Sequence, residues 1–218
     1  MCGRYGETEG AETLARRFSA ALRAPASGPR YNIAPTQHAP VLLREGGGLA
    51  LSLYRWGLRP GWAKDKAPEP INARSEDAAA KPYFRSAFRS RRCLVPASGF
   101  YEWQKTADGK VPHWIHRGDG EPLTFAGLWE VWAPRDAEPV HSFCILTTTP
   151  CPVMSPIHDR MPVILEGEER DAWLDPDASP ADLQALMRPW EGELRAHPVS
   201  TRVNSPRNDG PELILRAG

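Results

Sequence analysis

The sequence predicts an α+β fold in which antiparallel β-strands predominate, and two observations lead to this prediction. Strand-like segments follow one another through residues 92–147 with few helical segments between them, a pattern that βαβ units do not show. Hydrophobic residues make up 41% of the 218 residues, which is enough for a sizeable core, and no linker-like segment divides the chain. We therefore expect one domain over residues 1–218.

The first half of the chain predicts two helices and one β-hairpin. Leucine and phenylalanine recur every four residues within residues 9–23, which is typical of an amphipathic helix. Residues 41–43 and 49–54 predict a hairpin that turns at three consecutive glycines. Ser75 precedes two acidic residues and predicts the N-cap of a second helix, which Pro82 must interrupt because proline has no backbone N–H.

The second half predicts four successive strands, a short helix and a final pair of strands. The four strand-like segments are residues 92–103, 113–117, 123–129 and 141–147. Ser179 and the proline after it predict the start of a short helix that runs through Met187. Val199 and residues 213–215 are candidates for the final strands.

Cys2 is the most informative residue, because an initiator methionine is normally removed when the second residue is small. The mature chain then begins with a 1,2-aminothiol, which condenses with an aldehyde to an imine and closes through sulfur into a thiazolidine ring. An α-amine has a reference pKa of about 7.7–8.0, so roughly a tenth of it is neutral and nucleophilic at pH 7. Position alone fits equally well a second residue that is merely small.

The composition excludes several classes of protein. Basic and acidic residues number 27 each, which argues against a nonspecific polycation. Residues 81–92 nevertheless contain five basic side chains and no acidic one, which suits either local phosphate binding or a solvated helix face. The four cysteines include no C-x-x-C pair, so a zinc site or a disulfide framework is not expected. No secretory signal or membrane-spanning run is present.

Four further segments carry side chains that suit nucleic-acid chemistry. Arg74 can hold a phosphate through two parallel hydrogen bonds, and Trp62 can stack on an unpaired base. Glu102 lies between aromatic residues that remove its hydration, and His158 titrates near working pH, so both suit proton transfer. Each residue alone also fits an ordinary role: a surface arginine beside a helix cap, a half-buried indole, a solvated strand glutamate and a structural loop histidine.

Together these segments form an ordered series that covers nearly the whole chain. The blocks are residues 1–5, 31–36, 56–58, 71–76, 92–96, 99–103 and 157–162, and residues 197–200 with Asn204 close the series. This series closely resembles the SRAP family, the SOS-response-associated peptidases that are also described as abasic-site processing proteins. The resemblance implies a single SRAP domain whose antiparallel sheets have a barrel-like arrangement with peripheral helices.

The resemblance also implies an activity. Such a protein senses abasic sites in single-stranded DNA and captures them as a covalent thiazolidine crosslink through Cys2 after Met1 has been removed. A weak AP-lyase activity and reversal of the crosslink accompany this chemistry, and autocatalytic release of Met1 accounts for the peptidase label. By motif, the catalytic residues are Cys2 as nucleophile, Asn72 as its positioning group, Glu102 as proton shuttle and His158 as the acid that opens the sugar ring.

Seven further positions are implied as DNA contacts: Arg4, Asn32, Pro35, Trp62, Arg74, Ser75 and Arg160. The three arginines would hold the phosphates that flank the lesion, with Ser75 and Asn32 assisting. Trp62 and Pro35 would stack on bases or wedge beside them. Tyr83, Phe84 and residues 85–92 receive no role by motif, although the basic stretch is a candidate phosphate track.

The resemblance implies single-stranded DNA with abasic sites as the partner, including junctions with duplex, and neither a metal nor an organic cofactor. We expect a monomer without membrane association, located in the cytoplasm and on the nucleoid when bound to damaged DNA. Three other functions remain open at this stage. They are a glutamine amidotransferase with an N-terminal cysteine, a non-catalytic reader of single-stranded or modified DNA, and a cysteine peptidase that acts on other proteins.

Overall fold

The computed structural model describes residues 2–135 and 137–218. Within them the chain forms thirteen β-strands and four short α-helices. The strands are β1 Tyr5–Glu7, β2 Ala20–Leu22, β3 Arg30–Ile33, β4 His38–Glu45, β5 Gly48–Trp56, β6 Asn72–Arg74, β7 Arg92–Ala97, β8 Gly99–Thr106, β9 Gly109–Arg117, β10 Leu123–Trp132, β11 Val140–Thr148, β12 Met161–Pro162 and β13 Leu194–Pro198. The helices are α1 Ala11–Arg17, α2 Arg85–Ser90, α3 Glu168–Leu174 and α4 Pro180–Leu186, and two 3-10 turns span Thr201–Asn204 and Pro211–Ile214.

Five strands close into a β-barrel. Their order is β11-β10-β7-β4-β5, each pair antiparallel, and β5 returns to β11 through a short parallel pairing at Ser142↔Arg55 and Phe143↔Trp56. Strands β6 and β12 both pair with β11, which brings two distant parts of the chain to the same strand. The barrel-like arrangement with peripheral helices is therefore confirmed.

A second, antiparallel sheet has the order β13-β9-β8-β1-β3. Only Ser98 separates β7, in the barrel, from β8, in this sheet. The amino-terminal strand β1 lies between β8 and β3, with Tyr5 opposite Phe100 on one side and Ile33 on the other. The start of the chain is thus held in the interior of a sheet rather than at its edge.

Aromatic side chains form the core between the second sheet and the barrel. Tyr5 contacts Trp56 and Phe125 edge to face, with ring centroids 5.1 and 6.1 Å apart. Phe100 contacts the same Phe125 at 5.8 Å, and all four rings are fully buried. Edge-to-face pairs add about 0.5–1.5 kcal/mol each beyond the burial of their area, so this cluster fixes β1 and β8 against the barrel.

One predicted helix is shorter than expected and the start of another is wrong, and long-range strand pairing explains both. Helix α1 ends at Arg17, and Ser19 then adopts a positive φ of 49°, so that residues 20–22 pair with β5 as strand β2. Ser75 does not cap a helix; its N–H donates to the Thr147 carbonyl at 2.9 Å, and residues 75–80 form turns. Helix α2 begins only at Arg85, beyond Pro82.

The hairpin of β4 and β5 and helix α4 are confirmed, as are the strands predicted within residues 92–147, with one change. The segment 92–103 is not one strand, because the chain changes sheets at Ser98. At the end of the chain, residues 213–215 were predicted as a strand, but Leu213 lies in the second 3-10 turn. Val199 forms only an isolated bridge with Arg216.

Glu7 makes the stability of this fold dependent on pH. Its side chain is 2% exposed, and burial raises its pKa from 4.5 to about 7. The unfolded chain therefore ionises Glu7 at a lower pH than the folded chain does, and the free energy of unfolding falls between about pH 4.5 and pH 7. The full effect is at most about 3 kcal/mol, at ~1.4 kcal/mol for each pH unit.

We expect Glu7→Gln to remove this pH-dependent loss, because glutamine carries no charge. Between pH 5 and pH 8, the free energy of unfolding of wild type should fall by about 2–3 kcal/mol more than that of Glu7→Gln does. Urea denaturation of both proteins at the two pH values measures this shift. An equal pH dependence for the two proteins would contradict it.

Candidate active site around Cys2

Strand β1 determines where Cys2 lies. Tyr101 N–H donates to the Arg4 carbonyl at 2.9 Å, which continues the pairing of β1 with β8 toward the start of the chain. Cys2 is 0% exposed and packs in the aromatic core, and its Sγ lies 3.9 Å from the Arg4 carbonyl oxygen. Burial, together with the negative charge of Glu102, raises the pKa of the Cys2 thiol well above its usual range. The thiol is therefore protonated at neutral pH.

Asn72 holds the backbone of Cys2. It opens β6, which pairs in parallel with β11 so that Asn72 lies opposite Ile145. Its Nδ2 donates to the Cys2 carbonyl at 2.8 Å. Its Oδ1 is buried and has no hydrogen-bond partner among the described residues. This arrangement orients Cys2 and leaves one amide oxygen that can accept a hydrogen bond from a substrate.

Glu102 and His158 form a second pair of titratable groups. Glu102 is buried on β8, and burial raises the pKa of its carboxyl group, while the nearby His158 lowers it in part. His158 Nε2 lies 4.0 Å from Glu102 Oε2. Arg160 N–H donates to His158 Nδ1 at 3.0 Å, which puts the proton of the neutral ring on Nε2, on the side of Glu102. The protonated ring can instead donate from Nδ1 to Asp159 Oδ1, 2.9 Å away. The ring thus presents its Nε2 toward Glu102.

Arg4 is fixed by the carboxy-terminal part of the chain. Its Nη1 donates to Asn32 Oδ1 at 2.8 Å and to the Val203 carbonyl at 2.7 Å. Asn32 is fully buried, and its Nδ2 donates to the carbonyls of Val203, Ser205 and Asn208 at 3.2, 3.0 and 2.7 Å. Asn32 thus supports Arg4 from the interior and does not itself face solvent.

The two other arginines of the predicted DNA surface differ in their surroundings. Arg160 makes a bidentate ion pair with Glu76, at 2.6 and 2.9 Å, and also donates to the Thr147 carbonyl. This guanidinium holds the pKa of Glu76 down at about 2. Arg74, at the end of β6, is exposed, and its side chain has no hydrogen bond or ion pair with the described residues. Glu76 is the ion-pair partner of Arg160, and no local pattern in the sequence singles it out.

Trp62, Pro35 and Ser75 are exposed to different degrees. Trp62 is 63% exposed, and its ring lies edge to face with Tyr83 at 5.4 Å. Pro35 is partly exposed and precedes Thr36, which has a positive φ of 72°. Ser75 is buried beneath this surface. Trp62 is therefore available to stack on a base, whereas Ser75 can act only through its neighbours.

The candidate phosphate track in residues 85–92 does not fit the structure at two positions. Arg92 is buried, and its guanidinium donates to the carbonyls of Phe88, Arg89, Trp173 and Asp175. Arg91 pairs with Glu130 at 2.7 Å. Phe84 is also buried, in the core beneath α2. Arg92 thus joins α2 to α3 instead of facing solvent.

No group of three or more His, Cys, Asp and Glu side chains is arranged to hold a metal ion within residues 2–135 and 137–218. In the same residues, each helix is too short or too polar to cross a membrane.

Comparison with known proteins identifies the family. The sequence model described as SOS response associated peptidase (SRAP) matches residues 1–206. The chain belongs to the SRAP family. It is 39% identical to the abasic site processing protein YoqW of Bacillus subtilis (strain 168), over 98% of this chain and 99% of that protein. It is 34% identical to the abasic site processing protein HMCES of Gallus gallus, over 99% of this chain and 77% of that protein.

Solved structures share this architecture. A crystal structure of a protein from Bacteroides thetaiotaomicron superposes with a TM-score of 0.91 at 25% identity and covers 99% of this chain and 100% of that one. A second, from Bordetella bronchiseptica, has a TM-score of 0.78 at 27% identity and covers 91% of this chain and 100% of that one.

We expect Asn32→Ala to destabilise the SRAP fold. The change leaves three carbonyls of the tail without the Asn32 amide and removes one acceptor from Arg4. Unsatisfied buried groups cost about 1–3 kcal/mol, so the free energy of unfolding should fall by that amount. Asn204→Ala is the matched control: its Oδ1 accepts only the exposed Trp103 Nε1–H bond, and its loss should stay below about 1 kcal/mol. If urea denaturation gives equal decreases in unfolding free energy for the two variants, the buried amide of Asn32 does not stabilise the fold in this way.

Proposed function

We propose that this chain captures abasic sites in single-stranded DNA as a covalent crosslink through Cys2, after removal of Met1. The observation that carries the proposal is that Asn72 holds the Cys2 carbonyl and the charge of Glu102 acts on the Cys2 thiol, with His158 Nε2 4.0 Å from Glu102 Oε2. The names of the relatives, abasic site processing proteins, support the same substrate. An abasic site offers an aldehyde and no base, so recognition rests on phosphates, neighbouring bases and aldehyde chemistry.

The raised pKa of the Cys2 thiol supports an order of steps. The α-amine of Cys2 is the available nucleophile at neutral pH, because the buried thiol keeps its proton. The amine attacks the sugar aldehyde, a C–N bond forms and water leaves, which gives an imine. The sulfur then adds to the imine carbon, the S–H bond breaks, and its proton moves to the nitrogen. The product is a five-membered thiazolidine ring.

Each neighbouring residue has a distinct role in this scheme. Asn72 holds the Cys2 carbonyl and so directs the amine and thiol toward one carbon. Glu102 gives and receives the protons of the imine steps, since burial raises the pKa of its carboxyl group. His158 protonates the ring oxygen of the closed deoxyribose from Nε2 and opens it to the aldehyde. The reverse proton transfer by His158 assists release of the crosslink.

The DNA strand is held on either side of the lesion in this proposal. Arg4, Arg74 and Arg160 bind the flanking phosphates, and Trp62 and Pro35 stack on or wedge beside bases. Asn32 and Ser75 act from beneath the surface. The partner is single-stranded DNA, including junctions with duplex, and the protein acts as a monomer because one strand needs no symmetry.

Two side activities follow from the same chemistry. An iminium intermediate promotes β-elimination at the neighbouring carbon, which gives a weak AP-lyase activity. The Cys2 thiol is also the group placed to assist release of Met1, which gives the hydrolase character of the family label.

A denaturing gel tests the proposal directly. Protein whose Met1 removal is confirmed by mass spectrometry is incubated with single-stranded DNA that carries one abasic site. We expect wild type to give a shifted band that is stable to heat and SDS, and Cys2→Ala to give none. Cys2→Ser keeps the amine but lacks sulfur, so its band should be much weaker after heating. No stable band with the trimmed wild type would reject covalent capture.

The alternatives predict different results in the same preparation. Ammonia release from glutamine would indicate an amidotransferase. Equal, reversible binding of the abasic oligonucleotide by wild type and Cys2→Ala would indicate a reader without chemistry. Turnover of an unrelated peptide by wild type but not Cys2→Ala would indicate a peptidase.

We predict that Glu102→Gln slows crosslinking and leaves DNA affinity unchanged. The amide keeps the shape of the side chain but cannot exchange the proton, and general acid–base catalysis contributes about 10²–10⁴-fold. Single-turnover crosslinking rates and fluorescence anisotropy measure the two quantities. A variant with the wild-type rate would remove Glu102 from the mechanism.

We predict that Glu76→Gln strengthens DNA binding, because the carboxylate of Glu76 occupies the guanidinium of Arg160 in the free protein. With the ion pair removed, Arg160 contributes a full phosphate contact, and the slope of log K against log salt should become more negative by about 0.7. Glu12→Gln removes one exposed negative charge of α1 and leaves Arg160 paired with Glu76, so it serves as control. If both variants change the salt slope equally, Arg160 does not contact the DNA backbone.

A further inference from the structure

The loop that carries Trp62 has an interior support that the chemistry proposed above does not use. The loop spans residues 57–71 and joins β5 to β6, the strand that brings Asn72 to the Cys2 carbonyl. Its residues form turns and bends, and the Trp62 side chain on it is 63% exposed. Ordering a mobile loop when DNA binds would cost conformational entropy. The contacts that hold this loop therefore determine how well Trp62 can stack on a base.

Arg59 lies inside this loop. Its Cζ lies 3.3 Å from the centroid of the Trp132 ring at the end of β10, and its side chain is only 11% exposed. Its Nη2 donates to the carbonyls of Lys64 and Asp65 at 3.1 and 2.7 Å. Its Nη1 lies 3.7 Å from Glu69 Oε1. The guanidinium is thus enclosed by residues of the loop and by one aromatic ring.

Trp132 holds the same loop from the side of the barrel. Its Nε1 donates to the carbonyl of Ala63, the residue after Trp62, at 2.8 Å. Gly61, the residue before Trp62, lies so close to β10 that an added Cβ would be 3.1 Å from the Val131 carbonyl oxygen. Both neighbours of Trp62 therefore lie against the end of β10, and the ring of Trp132 is the common partner of the loop backbone and of Arg59.

We propose that Arg59 is a positioning residue for DNA binding, because it holds the loop so that Trp62 is already oriented to stack on a base beside the abasic site. This inference rests on the proposed function, which assigns stacking to Trp62. A preorganised loop loses less conformational freedom when the complex forms, and this strengthens binding. Arginine suits the task, since its planar guanidinium stacks on an aromatic ring while its N–H groups donate to carbonyls.

A direct contact with a phosphate is the other role that an arginine can have at a DNA surface. The ring of Trp132 covers the guanidinium of Arg59, and two loop carbonyls already accept hydrogen bonds from its Nη2. The low exposure of the side chain leaves little of it for a phosphate. Arg59→Lys separates the two roles, because lysine keeps the positive charge and lacks the planar fork.

Fluorescence anisotropy with single-stranded DNA that carries one tetrahydrofuran residue tests the proposal. Tetrahydrofuran replaces the abasic sugar and has no aldehyde, so binding is reversible and independent of Cys2 chemistry. Stacking of one base on an aromatic ring contributes about 5–150-fold in affinity, and Trp62→Ala should weaken binding within this range. Arg59→Met and Arg59→Lys should each weaken it by about fivefold or more. The double variant Arg59→Met/Trp62→Ala should bind no more weakly than Trp62→Ala does.

A control variant and a control DNA separate positioning from general damage to the fold. Arg117 also lies over a tryptophan ring, that of Trp190, with its Cζ 5.2 Å from the ring centroid. Its guanidinium donates to Asp119 and Glu166, far along the chain from the Trp62 loop, so Arg117→Met should bind the DNA as wild type does. When the nucleotides beside the lesion are also tetrahydrofuran, the stacking partner is removed, and Arg59→Met should then bind as wild type does.

Several results would overturn the proposal. They are wild-type affinity of Arg59→Met, an effect that multiplies with that of Trp62→Ala, and wild-type affinity of Arg59→Lys, which would instead assign a phosphate contact. If Trp62→Ala has no effect, stacking by Trp62 and this inference fail together, whereas covalent capture is measured separately on the denaturing gel.

A second variant keeps the proposal testable should Arg59→Met fail to fold. Trp132→Phe keeps an aromatic ring beneath Arg59 but loses the N–H donor to the Ala63 carbonyl. It should weaken binding in the same direction and add nothing to the effect of Trp62→Ala. Wild-type affinity of Trp132→Phe would contradict the support of Trp62 by this pair.

Discussion

The site depends on one structural constraint, which is the position of β1 between β8 and β3. The pairing of Tyr5 with Phe100 and the hydrogen bond from Tyr101 to the Arg4 carbonyl set the register of the first residues of the chain. The ring of Tyr5 is locked against Trp56 and Phe125, so this register cannot slip without losing the aromatic core. A terminus that would ordinarily fray is thereby held in a defined place.

Burial shapes the chemistry of the same place. It raises the pKa of both the Cys2 thiol and the Glu102 carboxyl group, and the negative charge of Glu102 raises the pKa of the Cys2 thiol further. His158, whose Nε2 lies 4.0 Å from Glu102 Oε2, lowers the pKa of Glu102 in part. A carboxyl group whose pKa burial raises suits a reaction whose steps both take up and release protons.

Local patterns predicted the β4–β5 hairpin, most strands within residues 92–147 and α4, because alternation and a proline at the first turn are local signals. They failed at residues 20–22 and at Ser75, where pairing with β5 and β11 determines the structure. The motif residues Cys2, Asn72, Glu102 and His158 were found from the sequence, and their convergence required the fold. The pairing of Arg160 with Glu76, 84 positions away, and the burial of Asn32 carry no local signal.

The support of Arg4 has a consequence for biosynthesis. Arg4 is held by the Val203 carbonyl, 199 positions later in the chain, and by Asn32, which itself requires residues 203–208. At about 5–20 residues per second, the ribosome adds Val203 roughly 10–40 s after Arg4. The first residues to emerge are thus among the last to acquire their native environment. A nascent chain carries its cysteine long before that cysteine has a completed site around it.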